Sequence, residues 1–348
     1  MEGTIDIAPE VNDAERAQLI EKISALTGIK HVDSATWSCL WFSDVKRLQE
    51  LFEVAVQESR QGPIFATLYN LENARALRSW AAQCRKGNDE KNDIPNAAQV
   101  PRKRRIEEGP SEEATPSEAT PSEVAPLLKR SAIAKNLCLQ RDRETCIVTN
   151  AGEPIEVCHI FPYTMGNPSS EVHKFWGILS TFWTTERIND WKQRILGDGR
   201  TEVCQNLLTL CPNAHRLWGR ARFALQPVKL SEDQKSLTLR FFWLPTRKFT
   251  KRMSISTCPS PPAALESGPK YAKLFDCLSE IKVCSGHEIT MNTDDPHNKP
   301  LPSVELLQMQ WTLNRIAAIS GAADVDDEEL DDTDDEDDEE VLIERSSY

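Results

Sequence analysis

RDRETCIVTNAGEPIEVCHIFPY, residues 141–163, and NLLTLCPNAHRLWGRARFALQPV, residues 206–228, carry most of the structural information in this chain. In the first stretch, 146–149 is a short run of strand formers, 150–154 supplies a turn, and 155–161 is a second short strand. That order predicts a hairpin, with His159 near its end and Pro162 terminating it. In the second stretch, 207–210 reads as a strand. Asn213 is a natural N-cap, so a helix is expected over 214–220 with His215 in its first turn. Residues 223–228 and 237–244 then read as another hairpin. Between the two stretches, Phe175, Trp176, Leu179, Phe182, Trp183 and Trp191 recur at helical spacing. That stripe is read as the core-facing side of a helical insert, ahead of a base-stacking platform.

Outward from this centre the composition changes. Residues 1–87 are expected to be helical: Leu19, Ile20, Ile23 and Leu26 share one face before Gly28 stops the run. Val45, Leu48, Leu51, Phe52 and Ala55 form a second such face, and 71–82 with Trp80 a third. These faces need a cover, which suggests a small helical unit or an arm for a protein partner. Residues 88–127 are a polar linker rich in Pro, Ser and Glu, with EATPS occurring twice, at 113–117 and 118–122. Such a composition buries too little apolar area to offset chain entropy. Inside it, PRKRR places Arg102, Lys103, Arg104 and Arg105 together as a nuclear-import candidate. The central domain is assigned to 128–255 and a C-terminal extension to 256–322. Within the extension a short helix is expected over 271–283. A second is expected over 304–320, capped by Ser303, closed by Gly321 and packing through Leu306, Met309, Leu313, Ile316 and Ala317. An acidic, disordered tail is expected over 323–348.

The net charge of −13 hides two opposed regions. Residues 324–340 contain 14 acids and no base, and setting them aside leaves a net +1. Residues 129–255 hold 20 Lys and Arg against 11 Asp and Glu, a net +9, which suits a surface that meets phosphates. The tail could compete with nucleic acid for that surface. Ten cysteines without a C-x-x-C pair or a secretory leader read as reduced thiols, so a nuclear or cytoplasmic rather than secreted protein is expected. No apolar run approaches the ~18 residues of a membrane span.

Taken in order, C-x-V-T at 146–149, CHIFP at 158–162 and NLLTLCPNAHRLW at 206–218 resemble the HNH endonuclease family, in the form seen in many uncharacterised fungal proteins. FALQP at 223–227 and PLPSVELLQMQW at 300–311 extend the resemblance to roughly 128–322. It implies an α+β fold: a ββα-metal core with a helical insertion and flanking helices. It also implies a metal-dependent endonuclease acting on nucleic acid, DNA ahead of RNA, with Mg²⁺ as the ion and Mn²⁺ or Zn²⁺ as alternatives. His159 would be the general base, Asn206 would tie down the loop that orients it, and His215 would ligate the metal. Arg216, Arg220 and Arg222 would grip flanking phosphates. The residue types suit the chemistry. Phosphodiester hydrolysis needs a water deprotonated for in-line attack and a cation beside the scissile phosphate, and an imidazole titrating near neutral pH is a natural base.

Two positions depart from the family pattern. Cys158 stands where many members carry an acidic ligand, and Gly219 where many carry His, Asn or Asp. A thiol is a poor partner for a hard ion. Glu156 shares the Cys158 face of the strand, opposite His159, and lies too early to substitute simply. His173 and Asp142 are other candidates, and Cys146, Cys158 and Cys211 with His215 could instead hold zinc. The alternative function is therefore a catalytically degenerate module that binds nucleic acid or protein. A third reading is a partner scaffold built on the N-terminal helices and acidic tail.

Overall fold

The computed structural model describes residues 6–57, 67–70, 72–89, 130–196, 201–260 and 265–324. PRKRR and all of the acidic tail beyond Asp324 lie outside them. The N-terminal part forms α1 (Ala14–Thr27), β1 (His31–Val32), α2 (Ser34–Phe42), α3 (Val45–Gln57) and α4 (Glu72–Asp89). Asp13 and Asp33 cap α1 and α2 by accepting from two backbone N–H groups each, and Gly28 ends α1 at φ +74°. All nine residues of α2 are buried. A helix that is apolar on every side belongs in the middle of a molecule, and α2 packs there against α9 (Val304–Ser320).

The central part runs α5 (Ala132–Arg141), β2 (Glu156–His159), α6 (Ser170–Phe182), α7 (Thr185–Leu196), β3 (Leu207–Leu210) and α8 (Pro212–Gly219). It continues through β4 (Phe223–Leu230), β5 (Ser236–Trp243), β6 (Met253–Ser254) and β7 (Glu288–Asn292) to α9. Strands β2 and β3 pair antiparallel with His159 opposite Leu207 and Glu156 opposite Leu210. Strands β4, β5 and β7 form an antiparallel sheet, and β1 pairs with β6. The fold is α+β. One apolar core runs from Ile7 to Ala322 and draws on both ends of the chain. Trp80 of α4 stacks on Phe175 of α6 at 6.1 Å and lies 6.0 Å from Phe161, just past β2. Fully burying one such ring removes enough apolar surface to stabilise by ~1.5–3 kcal/mol. The N-terminal helices therefore cover the back of the β2 region.

Two buried arginines fix the frame. Arg315 of α9 ion-pairs with Glu10, donates to the Ile7 and Trp311 carbonyls and lies 3.9 Å over the Trp311 ring. Arg141 pairs with Asp142 and donates to the carbonyls of Cys204, Leu207 and Pro300, while Asp142 accepts from Thr209 N–H. That cluster anchors α5 beneath β3. Among the described residues no helix is long and apolar enough to cross a membrane.

Helix α9 begins at Ser303, which accepts from Leu306 N–H, and ends at Gly321, φ +80°. It buries 14 of its residues, on every side rather than along a single face. Gly321 is required twice over, because a Cβ there would also strike the 247–249 backbone.

Three local expectations are corrected. Residues 146–149 do not form a strand: Cys146 N–H bonds Ala151 O and Asn150 N–H bonds Cys146 O, so the segment spends its backbone groups on its own turn. Only Ile147 N–H reaches β3, and β2 pairs with β3 across the helical insert instead. The cap of α8 is Cys211 rather than Asn213. Pro212 occupies the first helical position, where its preset φ fits and its missing N–H costs nothing. Residues 271–283 are not helical. Asp276 accepts from Leu278 and Ser279 N–H, an Asx turn that competes with helix, and Phe275 bridges Lys282.

Candidate nuclease site

β2, α8 and α4 converge on one small pocket whose walls include Gln83, Val157, Cys158, His159, His215 and Trp218. The two histidines nominated from sequence thus share a cavity. His159 ends β2, and His215 sits one turn into α8, its N–H bonded to Cys211 O.

Asn206 is 1% exposed and holds the chain just beyond His159. Its Oδ1 accepts from Phe161 N–H at 2.8 Å, and its Nδ2 donates to Phe161 O and Thr201 O, each at 3.0 Å. Ile160 N–H bonds the Asn206 carbonyl at 2.8 Å. The side chain closes a ring of bonds that a strand pair ending at residue 159 would otherwise leave open.

Each histidine meets a carboxylate. His159 Nε2 lies 2.5 Å from Glu202 Oε1, and the other Glu202 oxygen accepts from Ser131 N–H at 2.6 Å. Burial would raise the Glu202 carboxyl. The bonds from His159 and Ser131 and the charge of Arg130 outweigh it and hold the group below its ordinary value. Arg130 also stacks over Tyr163, whose ring packs 5.7 Å from that of His159. His215 Nδ1 lies 2.6 Å from Glu156 Oε2. Glu156 thus stands behind His215 rather than beside His159, and any metal bond by this imidazole falls to Nε2. A carboxylate on the far nitrogen orients a ligating imidazole and raises its basicity.

The remaining donors do not gather. Cys158 Sγ donates to the Leu208 carbonyl. Asp142 is consumed by Arg141, and His173 is exposed with Nδ1 against Ser169 O. Gly219 is the buried last residue of α8. The Cys211 thiol is pushed down to about 6 by the Cys146 thiol, which outweighs its burial, helped by the Ala214 N–H at the start of α8 and the Thr149 hydroxyl. Cys146, the donor of that pair, is pushed up. Among the described residues no three His, Cys, Asp or Glu side chains are arranged to hold a metal ion. The zinc set of Cys146, Cys158, Cys211 and His215 is not assembled.

Of the arginines nominated for phosphates, Arg216 and Arg220 are exposed. Arg222 is half-buried and forms a two-point ion pair with Asp324, the first residue of the acidic run. A larger groove between α4 and α6 carries Arg75, Arg78 and Lys174, with Glu72 and Glu171 among them, and shares Gln83 with the histidine pocket. Neither this groove nor Glu202 was visible in the sequence. Glu202 lies 43 residues from its partner and belongs to no recognisable spacing. The groove needs α4 docked on the insert before its charges face one way.

No curated protein and no solved structure matches the chain. A family model described as HNH endonuclease matches residues 146–226. The matched span begins at Cys146, takes in β2, the insert, β3 and α8, and ends within β4. It contains His159, Asn206 and His215, and this part of the chain is similar to the HNH endonuclease domain.

Proposed function

We propose that the protein hydrolyses phosphodiester bonds of nucleic acid, DNA ahead of RNA, with His159 as general base and His215 as metal ligand. The observation that carries this reading is the shared pocket of the two imidazoles, each backed by a carboxylate. HNH nucleases as a family use divalent metals and bind nucleic acid. The donor set here suits an open site. His215 is the nominated Mg²⁺ ligand on the pocket wall, and the Cys158 thiol there is bonded to the Leu208 carbonyl, so an ion would complete its shell with water and phosphate oxygens, as Mg²⁺ commonly does. Such an ion supplies charge stabilisation at the phosphoryl and leaving oxygens. The chain's own residues do the rest. His159 takes the proton of the attacking water. Asn206 holds the Phe161 backbone so that the imidazole stays in place. Glu156 fixes the ring of His215. Arg216, Arg220 and the groove residues Arg75, Arg78 and Lys174 bind flanking phosphates.

A second reading is favoured by Cys158 and Gly219: with two usual ligands replaced, the domain binds nucleic acid without cutting it. Plasmid nicking by the full chain with Mg²⁺, Mn²⁺, Zn²⁺ or EDTA separates the two. Metal-dependent nicking, lost in His159→Ala, supports hydrolysis. Binding without nicking in any metal overturns it in favour of the second reading.

A further inference from the structure

We infer that Glu202 is a positioning residue for His159: it takes the Nε2 proton in a hydrogen bond and so leaves Nδ1 as the atom that accepts the proton of the attacking water. The catalytic half of this inference rests on the nuclease reading above.

The geometry has three parts. The Glu202 side chain is 8% exposed and its two oxygens have separate duties, Oε1 at 2.5 Å from His159 Nε2 and Oε2 at 2.6 Å from Ser131 N–H. Arg130, next to Ser131, adds its charge from the same side. An ionised carboxylate can only accept hydrogen bonds, so the imidazole must donate from Nε2. A neutral imidazole that carries its proton on Nε2 has its lone pair on Nδ1. The ring is further fixed by Tyr163, itself under the Arg130 guanidinium.

A carboxylate behind a catalytic imidazole selects the tautomer, sets the ring's orientation and stabilises the imidazolium that forms, without itself becoming protonated. The water oxygen forms a bond to phosphorus and the bond from phosphorus to the 3′-oxygen breaks. The water proton moves to Nδ1 of His159, giving an imidazolium bonded to Glu202 through Nε2–H. The 3′-oxygen takes a proton from solvent, and His159 later returns one.

Ser131 caps α5, and Arg130 directly precedes it. The start of α5 is thus built into the support of the base. Nothing in the spacing of His159 and Asn206 anticipates that.

The test reads the tautomer directly. Full-length protein labelled with ¹⁵N-histidine has six imidazoles, and His159 is assigned by the signal missing in His159→Gln. Long-range ¹H–¹⁵N correlation of the neutral form is expected to show the Nε2–H tautomer in the wild type. In Glu202→Gln, whose amide can donate as well as accept, the two tautomers should mix. Cleavage should then lose kcat by about 10²-fold or more, with KM within twofold. An Nδ1–H tautomer in the wild type overturns the inference without any variant. So does a Glu202→Gln protein with unchanged tautomer and kcat. If the tautomer follows expectation while the wild type cuts no nucleic acid with any metal, the positioning role stands and the nuclease reading falls.

Discussion

Replacing Asn206 by Ala isolates what the side chain contributes to the loop after His159. The residue is 1% exposed and makes three hydrogen bonds. Truncation leaves Phe161 N–H buried without an acceptor, a loss of about 2 kcal/mol, and takes one donor from each of two carbonyls, about 0.5 kcal/mol apiece. The sum is about 3 kcal/mol. At an unfolding entropy of about 2.1 cal/mol/K per residue, that lowers the melting temperature of a chain of this size by roughly 4–6 °C. Asn206→Asp is the informative control. It keeps an acceptor for Phe161 N–H but turns a carboxylate toward the Phe161 and Thr201 carbonyls. It should melt at or below Asn206→Ala at neutral pH and regain ground on acidification, when the protonated oxygen can donate. Thermal melts followed by far-ultraviolet circular dichroism at two pH values are sufficient. An Asn206→Ala protein melting within 2 °C of the wild type would refute the reasoning, because a buried N–H would then have been abandoned at almost no cost.

Other substitutions bear on the site and its surroundings. His159→Ala should lower cleavage by about two to four orders of magnitude while nucleic-acid binding, read by fluorescence anisotropy, stays within a few-fold. Glu156→Gln should raise the metal concentration needed for half-maximal activity by roughly 10–100-fold, with the maximal rate largely recovered at saturating Mn²⁺; an unchanged metal requirement would detach Glu156 from His215. Deleting residues 324–348 removes the 14 acids of 324–340, among them the Asp324 partner of Arg222, so DNA should bind more tightly at low salt and the difference should fade as salt rises. Burial would raise the Glu10 carboxyl, but the charge and bonds of Arg315 hold it below the ordinary 4.5. A depressed carboxyl adds stability above its unfolded value and loses it as pH falls through the folded one. Denaturant melts should therefore show the wild type losing more stability below pH 4.5 than Glu10→Gln, which starts lower at neutral pH.

Local signals in the sequence were reliable where one residue decides a boundary. Gly28 and Gly321 end their helices at positive φ, and Ser303 caps α9. His159, Asn206 and His215 each sit at the end or start of a short element whose neighbours are strongly apolar. What failed was pairing. Residues 146–149 have strand composition but close on themselves, and the partner of β2 lies beyond two helices. Composition cannot say which of two nearby apolar runs will supply that partner. Cys211 displaced Asn213 as cap because Pro212 fixes where the helix begins. Glu202 was illegible because a carboxylate acquires meaning only when the fold sets it against an imidazole. Trp80 read as part of one helical face, yet its ring serves as a wall for Phe161 and Phe175, close to His159.

The Arg315–Glu10 ion pair also sets a timetable. Its partners are 305 residues apart in the chain. At a synthesis rate of 5–20 residues per second, Glu10 is made roughly 15–60 s before Arg315. During that interval α2, apolar on every side, has no α9 to lie against. Each nascent chain thus passes through a long period with α2 uncovered. Rapid translation or a chaperone that shields residues 34–42 should raise the yield of folded protein, whereas slowing the ribosome late in the message should lower it.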